Sequence, residues 1–501
     1  MMRSLYSGVS GLRVHQTRMD VIGNNIANVN TVGFKSSSVT FSDVLYQTSS
    51  PATGPNDSMG TAGVNAMQIG LGASLASITT KITGTGGSQR TDGWSDLMIE
   101  GDGFFVVQNN GTNYFTKAGS FNVDANGNLC TPSGALVMGW QVSEDDPSRC
   151  KSDTVSALRV MAPDKMFSEP AATTQCIVKG NIDQNDTQLA PDAEGRVANI
   201  QFYDNLGNLY TMELNIKHAG EDAGDDGAFN STYAVTIANV YNEKGDSIFV
   251  EEVIDEDGVK SYQQTAYTGF SVNGEGGVTV ETEDDFEQTG NIRLEMEPLL
   301  LSFDSVTGRF KSIDGDESLE GYNEETNPFM TFNMAGETEG TPFQRVTVDF
   351  SALTMFSQSG TTTLECARGT RASSAEGAGK PVGNMTGISI DKYGKIYGSY
   401  DNGDSNLLGQ VVVATFPNAA GLEAVGNNMF ATTQNSGSFD GIGKDILTTG
   451  GKFNPGVIEM SNVDLANEFT DMIITQRGFQ ANSRIITTSD TLLEELINLK
   501  R

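Results

Sequence analysis

Apolar residues recur every seven positions near both ends of the chain. In the first thirty residues, which contain no proline, this series is Leu5, Leu12, Met19 and Ile26. Near the C-terminus the series is Leu465, Met472, Phe479, Ile486 and Leu493. A spacing of seven places successive residues on one face of an α-helix and is typical of a coiled-coil seam. The pattern predicts two amphipathic helices, within 1–35 and 461–501, that pair with each other.

Between these segments the pattern changes to the short alternations of β-strands. Residues 76–140 and 361–460 combine short apolar runs with turn signals such as Asn126-Gly127, which indicate hairpins. Within 141–360, alternation is strict at Tyr210, Met212, Leu214 and Ile216. We therefore predict a mainly β, multidomain fold with nested, discontinuous domains. The paired terminal helices form a coiled-coil-like domain, 76–140 and 361–460 form a split β-rich domain, and 141–360 is an insert of one or two subdomains.

Residues 36–75 join the first helix to the β-rich part. They are rich in Ser, Thr, Gly and Asn, include Pro51 and Pro55, and contain few apolar residues. Such a composition predicts an extended connector that lies against neighbouring structure.

The terminal helices carry polar residues in the second column of their seams, at Gln16, Gly23, Gln476 and Ser483. A terminal helix on its own therefore buries little apolar surface, too little to offset the entropy lost when its residues become ordered. We expect both helices to become ordered on assembly.

The acidic residues are concentrated in the insert. The chain has 64 Asp and Glu against 31 Lys and Arg, a net charge of −33. Residues 141–360 hold 41 of the acidic and 13 of the basic residues, so −28 of that charge belongs to the insert. This balance excludes nucleic acid as a partner and indicates a hydrated surface.

The residues needed for catalysis or metal binding are scarce. The histidines are His15 and His218, and the four cysteines have irregular spacing, so neither a zinc site nor a disulfide framework is indicated. Asp-rich turns such as 124–128 lack the spacing of a calcium loop, and their usual role is to bond their own backbone. The chain also lacks a signal-peptide pattern and an apolar stretch long enough for a membrane. We predict that the protein binds no cofactor, does not insert into a membrane and is not an enzyme. The weaker alternative is a calcium-dependent secreted hydrolase.

Asparagines are unusually dense at the end of the first predicted helix, in GNNIANVNTVGFK at 23–35. Their amides oppose helix continuation and can bridge chains. We therefore select as candidate assembly residues, besides the two heptad series, Asn24, Asn25, Asn28, Asn30 and Phe34.

This string closely resembles the N-terminal signature of bacterial flagellar axial proteins, the family of rod and hook subunits. Three further segments resemble the same family: LMIEGDGFFVVQ at 97–108, residues 387–430 and residues 461–500. Rod subunits are about half as long, whereas an insert within the split β domain is typical of hook-type subunits. A distal rod or other axial subunit is the alternative.

The resemblance implies a structural role in a helical homopolymer. In hook-type subunits the terminal helices form an inner tube around an export channel, and the insert faces solvent. The polymer is a curved, flexible tube that transmits motor torque from rod to filament. The implied partners are further copies of the chain, the hook cap, the distal rod, the hook–filament junction proteins and the flagellar type III export apparatus. The implied location is the hook, outside the cell, reached without a cleaved signal.

Some family members, notably in spirochaetes, cross-link neighbouring subunits through lysinoalanine, formed from a cysteine and a lysine. The candidates here are Cys176 and, nearby in sequence, Lys165. The alternative for Cys176 is a small buried apolar residue.

Overall fold

The computed structural model describes residues 2–499 except 56–59, 61, 144–145, 191, 220–230, 255–259, 266, 268, 275, 283–285, 315–317, 320–321 and 335–341. The acidic run at 221–226 beside His218 thus lies outside the described residues. The chain forms two compact units: the first contains 1–166, 385–399 and 405–501, and the second contains 167–384 and 400–404. The predicted insert, 141–360, therefore begins and ends earlier in the chain than the second unit does.

The described elements include three α-helices and 35 β-strands. The helices are α1 (Met2–Ala27), the short α2 (Phe286–Thr289) and α3 (Leu465–Asn498). The strands up to residue 166 are β1 (Ser37–Asp43), β2 (Tyr46–Ser50), β3 (Met67–Gly70), β4 (Ala73–Thr80), β5 (Ser88–Arg90), β6 (Leu97–Glu100), β7 (Phe104–Asn109), β8 (Thr112–Thr116), β9 (Asn122–Val123), β10 (Leu129–Cys130), β11 (Leu136–Gln141) and β12 (Ser156–Ala157).

The middle of the chain contributes β13 (Phe167–Ser168), β14 (Gln175–Asn181), β15 (Arg196–Tyr203), β16 (Leu209–His218), β17 (Thr232–Tyr241), β18 (Val250–Ile254), β19 (Lys260–Gln264), β20 (Gly269–Val272), β21 (Gly276–Thr282), β22 (Ile292–Glu295), β23 (Leu299–Phe303), β24 (Phe310–Ile313), β25 (Phe329–Asn333), β26 (Arg345–Thr354) and β27 (Thr363–Arg368). The strands that follow are β28 (Gly383–Ile390), β29 (Lys395–Tyr400), β30 (Ser405–Val411), β31 (Val413–Ala414), β32 (Glu423–Gly426), β33 (Met429–Ala431), β34 (Lys452–Pro455) and β35 (Val457–Glu459).

Strands from both halves of the chain interleave in the first unit. Its main sheet runs β28-β29-β30-β11-β7-β8-β33-β32, and β34 and β35 pair with β6 and β5. Phe105, at the centre of the core, packs edge-on against Phe121 at 5.0 Å and stacks on Phe453 at 5.9 Å. The predicted fold class is confirmed: mainly β, discontinuous, with the terminal helices packed together.

Four strands of the segment predicted as an extended connector, 36–75, and the residues just after it form two antiparallel ladders. β1 pairs with β4 from Ser37↔Thr80 to Asp43↔Ala73, and β2 pairs with β3. Hydroxyl pairs link β1 to β4, with Thr40 Oγ1 2.7 Å from Ser77 Oγ. We call the strands β1 to β4 the ribbon. The polar composition predicted a connector, but cross-strand hydroxyl pairs stabilise strands without apolar residues.

The second unit contains a seven-stranded sheet, β22-β21-β20-β25-β26-β14-β27, and a five-stranded sheet, β15-β16-β17-β23-β24. β14 and β26 are parallel, and the other ladders described in these sheets are antiparallel. The alternation at 210–216 is confirmed, because Met212, Leu214 and Ile216 are fully buried. Both sheets contribute to one hydrophobic core cluster.

Candidate assembly interface

Helices α1 and α3 pack side by side and antiparallel in the first unit. Ser4 Oγ lies 3.4 Å from Ser489 Oγ at one end of the pair, and Asn25 Nδ2 donates to Glu468 Oε1 at 3.0 Å at the other. Between them, Arg18 and Asp471 form an ion pair at 3.1 Å. The contact therefore runs nearly the full length of α1.

Small residues set the spacing of the two helices. A Cβ at Gly8 would lie 3.2 Å from Ile486 Cγ1, and a Cβ at Gly11 would lie 2.6 Å from Asn482 Nδ2. On α3, a Cβ at Gly478 would lie 2.7 Å from His15 Nε2. The backbones approach closely because side chains larger than glycine are absent at these positions.

The residues that α3 buries most deeply are polar. Thr475 and Ser489 are its buried residues, and they alternate along the inner face with Glu468 and Asn482. Burial raises the pKa of Glu468, while the hydrogen bond from Asn25 opposes that rise. His15 sits edge-on to Phe41 of β1, and burial lowers its pKa, with a further contribution from Arg18.

The two predicted heptad series occupy the margins of this contact. Leu5, Leu12, Met19, Ile26, Met472, Ile486 and Leu493 are half-buried, whereas Leu465 and Phe479 are exposed at 39% and 37%. Further apolar side chains of α3 are exposed and lie mostly away from α1. They include Phe469, Ile473, Ile474, Ile485, Leu492, Leu496 and Ile497.

The asparagines of the signature differ in their contacts and in their exposure. Asn25 is buried; its Nδ2 donates to Ser37 O at 2.8 Å and its Oδ1 accepts from Ser37 N at 3.0 Å, which ties α1 to the ribbon. Asn28 bonds Asn24 across one turn at the end of α1. Asn24 and Asn30 are exposed, and Phe34 is half-buried.

A buried ion pair lies where both helices leave the β structure. Lys35 Nζ is 2.7 Å from Glu459 Oε1, and each side chain is 1% exposed. Lys35 also donates to Gly84 O at 2.6 Å, and Gly86 N donates to the same Glu459 oxygen at 2.9 Å. We call Lys35, Glu459 and the backbone of 84–86 the junction. It joins segments from both ends of the chain.

Gly33 belongs to the same region and is closely surrounded. Its φ is +69°, and a Cβ there would lie 2.7 Å from Ala118 N. Its N–H donates to Glu459 O at 2.8 Å. The signature therefore positions the chain after α1 against both the end of β8 and β35.

The cysteine and lysine selected for cross-linking belong to different units. In the second unit, Cys176 on β14 is 1% exposed, and burial raises its pKa to about 12. In the first unit, Lys165 donates to Leu408 O at 2.9 Å and Arg159 O at 3.0 Å, and burial lowers its pKa.

Other chemistry is sparse in the part of the chain that the structure describes. No group of three or more His, Cys, Asp or Glu residues there could hold a metal ion. The Asp124 turn bonds its own backbone, with Asp124 Oδ1 accepting from Asn126 N and Asn128 N. Of the described helices, none has the length and apolarity to cross a membrane.

Sequence reasoning missed the junction and the polar inner face of α3. Lys35 and Glu459 are 424 residues apart, and no local pattern marks such a pair. The only signal for the inner face was the density of Gly, Ser, Thr and Asn at helical spacing.

Three family models match the chain. They are "Flagella basal body rod protein" at residues 5–35, "Flagellar hook protein FlgE/F/G D1 domain" at 98–198, and "Flagellar basal body rod FlgEFG protein C-terminal" at 454–499. The first and third cover α1 with the signature and α3 with β35. The matches therefore include most of the candidate interface apart from the ribbon.

Curated relatives match over the full length. The chain is 35% identical to "Flagellar hook protein FlgE" of Borreliella burgdorferi and 34% identical to that of Treponema pallidum, each over 100% of both chains. It is 25% identical to the protein of the same name from Helicobacter pylori strain J99, again over 100% of both. A crystal structure of Helicobacter pylori flagellar hook protein FlgE2 is similar at 15% identity over 73% of this chain and 99% of that one, with a TM-score of 0.31.

Proposed function

The chain belongs to the family of bacterial flagellar hook proteins, and we propose that its copies polymerise through helices α1 and α3. It is a structural subunit of the flagellar hook. The single observation that supports this use of the helices is the exposed apolar surface of α3. Phe469, Ile473 and Leu496 are 50%, 58% and 49% exposed on a helix whose buried residues are polar.

Exposed apolar surface of this extent favours association, because covering it gains about 25 cal/mol per Å². In a hook, the helix pairs of neighbouring copies can cover this apolar surface. Polymerisation then buries the larger side chains of α3, while the small residues maintain the pair within each subunit. This arrangement forms the inner tube of the hook.

The test is polymerisation of purified full-length chain with Phe469→Ser and Ile473→Ser combined. The matched control combines Arg477→Ser and Gln480→Ser, two exposed residues of the same helix. We expect the control to form tubes and the apolar variant to remain monomeric at the same concentration, as judged by electron microscopy and sedimentation. Normal tubes from the apolar variant would contradict the proposal.

The ribbon is the second proposed contact. Leu45, Tyr46, Met67 and Ile69 are 62%, 53%, 60% and 45% exposed. A two-stranded ladder is only marginally stable in water. Contact with another copy would bury its exposed apolar side chains and so stabilise it. A contact of this kind can slide and bend, as a flexible tube that rotates while curved requires.

The remaining partners and the location follow from the family rather than from a site on the chain. We propose export through the flagellar type III apparatus to the extracellular hook, where the chain meets the hook cap, the distal rod and the hook–filament junction proteins. A distal rod or other axial role is the second candidate. Electron microscopy separates the two, because hook polymers are curved and rod polymers are straight.

Lysinoalanine joining Cys176 to Lys165 of a neighbouring copy is a further part of the proposal. A base removes the Cα proton of Cys176 and hydrosulfide leaves, which gives dehydroalanine. The Lys165 amine then adds to Cβ and a proton returns to Cα, with net loss of H₂S. Burial favours the neutral, nucleophilic amine of Lys165 by lowering its pKa, whereas Cys176 must first become accessible. Recovery of every Cys176 peptide uncross-linked from assembled hooks, by mass spectrometry, would exclude this reaction.

A further inference from the structure

A cleft of ≈ 420 Å³ lies in the first unit beside the end of β8. Its apolar wall includes Phe104, Phe416 and Pro417, and four threonines, at 83, 415, 448 and 449, also line it. Its charged residues are Lys117, Lys444 and Asp102. An apolar pocket with a few convergent polar groups is the usual form of a binding site.

Lys117 is the buried charge of this cleft. Its residue is 4% exposed, its Nζ donates to Gly101 O at 3.2 Å, and the ammonium lies 5.3 Å from the centroid of Phe104. No carboxylate among the described residues forms an ion pair with it. Burial lowers the pKa of Lys117 to about 8; Lys35 adds to the lowering, while Glu459 and Asp102 oppose it.

The junction lies close enough to Lys117 to share its charge balance. Lys35, Lys117 and Glu459 interact electrostatically, and together they amount to two buried cations and one anion. Glu459 is paired with Lys35, and Asp102, the other carboxylate that acts on Lys117, is exposed. Lys117 therefore has no buried anion of its own, and a buried charge without a counter-charge is costly.

The cleft gives a carboxylate from outside access to Lys117. Lys444 lies at the exposed side and donates to Thr415 Oγ1 at 3.0 Å, so a second ammonium is available there. Asp102 lines the cleft as well and repels a ligand of high negative charge. The residues present therefore fit a single carboxylate rather than a polyanion.

We propose that the cleft receives one carboxylate side chain from a second copy of this chain when the copies polymerise. The inference rests on the proposed self-assembly and names one of its contacts. Acidic side chains outnumber basic ones by 64 to 31 in the chain and by 23 to 18 outside residues 141–360, so a neighbouring copy has carboxylates to present from either part. An inserted carboxylate supplies the missing anion and forms a charge-assisted bond out of water.

The test compares Lys117→Met with Lys452→Met in the full-length chain. Lys452 is the control because it forms an exposed ion pair with Glu100, with side chains 55% and 52% exposed. We expect Lys117→Met to raise the critical concentration for polymerisation about tenfold, the loss of roughly one charge-assisted bond. Its monomer should melt at the same or a higher temperature, since the variant removes a buried charge that lacks a partner.

Three outcomes are informative. Equal critical concentrations for Lys117→Met and wild type would overturn the cleft proposal and leave the hook function intact, whereas failure of wild type to polymerise would count against the proposed function itself. A lower melting temperature for the Lys117→Met monomer would assign the ammonium a structural role and also overturn the proposal.

A second measurement uses the pH dependence of assembly and the reactivity of the amine. With its pKa lowered to about 8, Lys117 loses its proton above that pH, so the wild-type critical concentration should rise more steeply than that of Lys117→Met. Acylation of Lys117 by an N-hydroxysuccinimide ester, mapped by mass spectrometry, should be slower in the polymer than in the monomer. Equal acylation rates in the two forms would overturn the proposal.

Discussion

Removing Lys35 should destabilise the first unit strongly, because Glu459 would remain buried without its partner. Breaking a buried pair by removing one member costs about 3–5 kcal/mol. Lys117 still attracts Glu459, so we place Lys35→Met at the lower end, about 3 kcal/mol. Replacing both members, as Lys35→Met with Glu459→Gln, should recover about 1 kcal/mol of this loss, since no carboxylate is stranded and the new side-chain amide can still accept from Gly86 N, although Lys117 loses the attraction of Glu459.

Tryptophan fluorescence is suited to the measurement. The two tryptophans, Trp94 and Trp140, both belong to the first unit, so their emission follows that unit alone. Urea titrations of the wild type, the single variant and the double variant should give midpoints that fall in the order wild type, double variant, single variant. The control is Lys452→Met, whose exposed ion pair with Glu100 should contribute less than about 1 kcal/mol.

The relative stability of the single and the double variant tests this reasoning. If the double variant were less stable than Lys35→Met, the buried pair would be stabilising in itself, and the argument from a stranded charge would be wrong. A loss below about 1 kcal/mol for Lys35→Met would show that water reaches Glu459 at the junction.

Three further results are expected. Gly33→Ala should lower the free energy of unfolding of the first unit by at least about 1–2 kcal/mol, since φ is +69° and the new Cβ would press on Ala118 N, whereas Gly23→Ala, with open space around it in α1, should be neutral or stabilising. Between about pH 8 and 10.5 the unfolded chain holds a proton that folded Lys117, with its lowered pKa, has released, so stability should rise with pH in that window for wild type and not for Lys117→Met. In the native subunit Cys176 should react with Ellman's reagent far more slowly than after unfolding, because it is 1% exposed with a pKa of about 12; rapid native labelling would show that β14 is open.

Periodicity predicted the elements of this fold well, because it depends on neighbours in sequence. The heptads at both termini specify α1 and α3, and the alternation at 210–216 specifies β16. The ribbon was harder, since its strands are stabilised by hydroxyl pairs such as Thr40–Ser77 rather than by apolar residues.

The candidate site was predicted only in outline. Of the asparagines in the signature, Asn25 alone is buried and bridges α1, β1 and α3, and composition cannot distinguish it from its neighbour Asn24. The inner face of α3 depends on how closely two backbones approach, and that distance is fixed by Gly8 and Gly11 on the partner helix. A heptad search counts apolar residues and so selects the margins of the contact.

The distribution of side chains on α3 implies an order of contact strengths. Within one subunit, α3 offers α1 polar groups such as Thr475 and Ser489, and hydrogen bonds of such groups contribute only about 1 kcal/mol each. Toward solvent it presents Phe469 and Ile473, and full burial of such a side chain contributes about 1.5–3 kcal/mol. Contacts between copies should therefore be stronger than the contact within the pair. A subunit built in this way gains much of the stability of α3 only in the polymer.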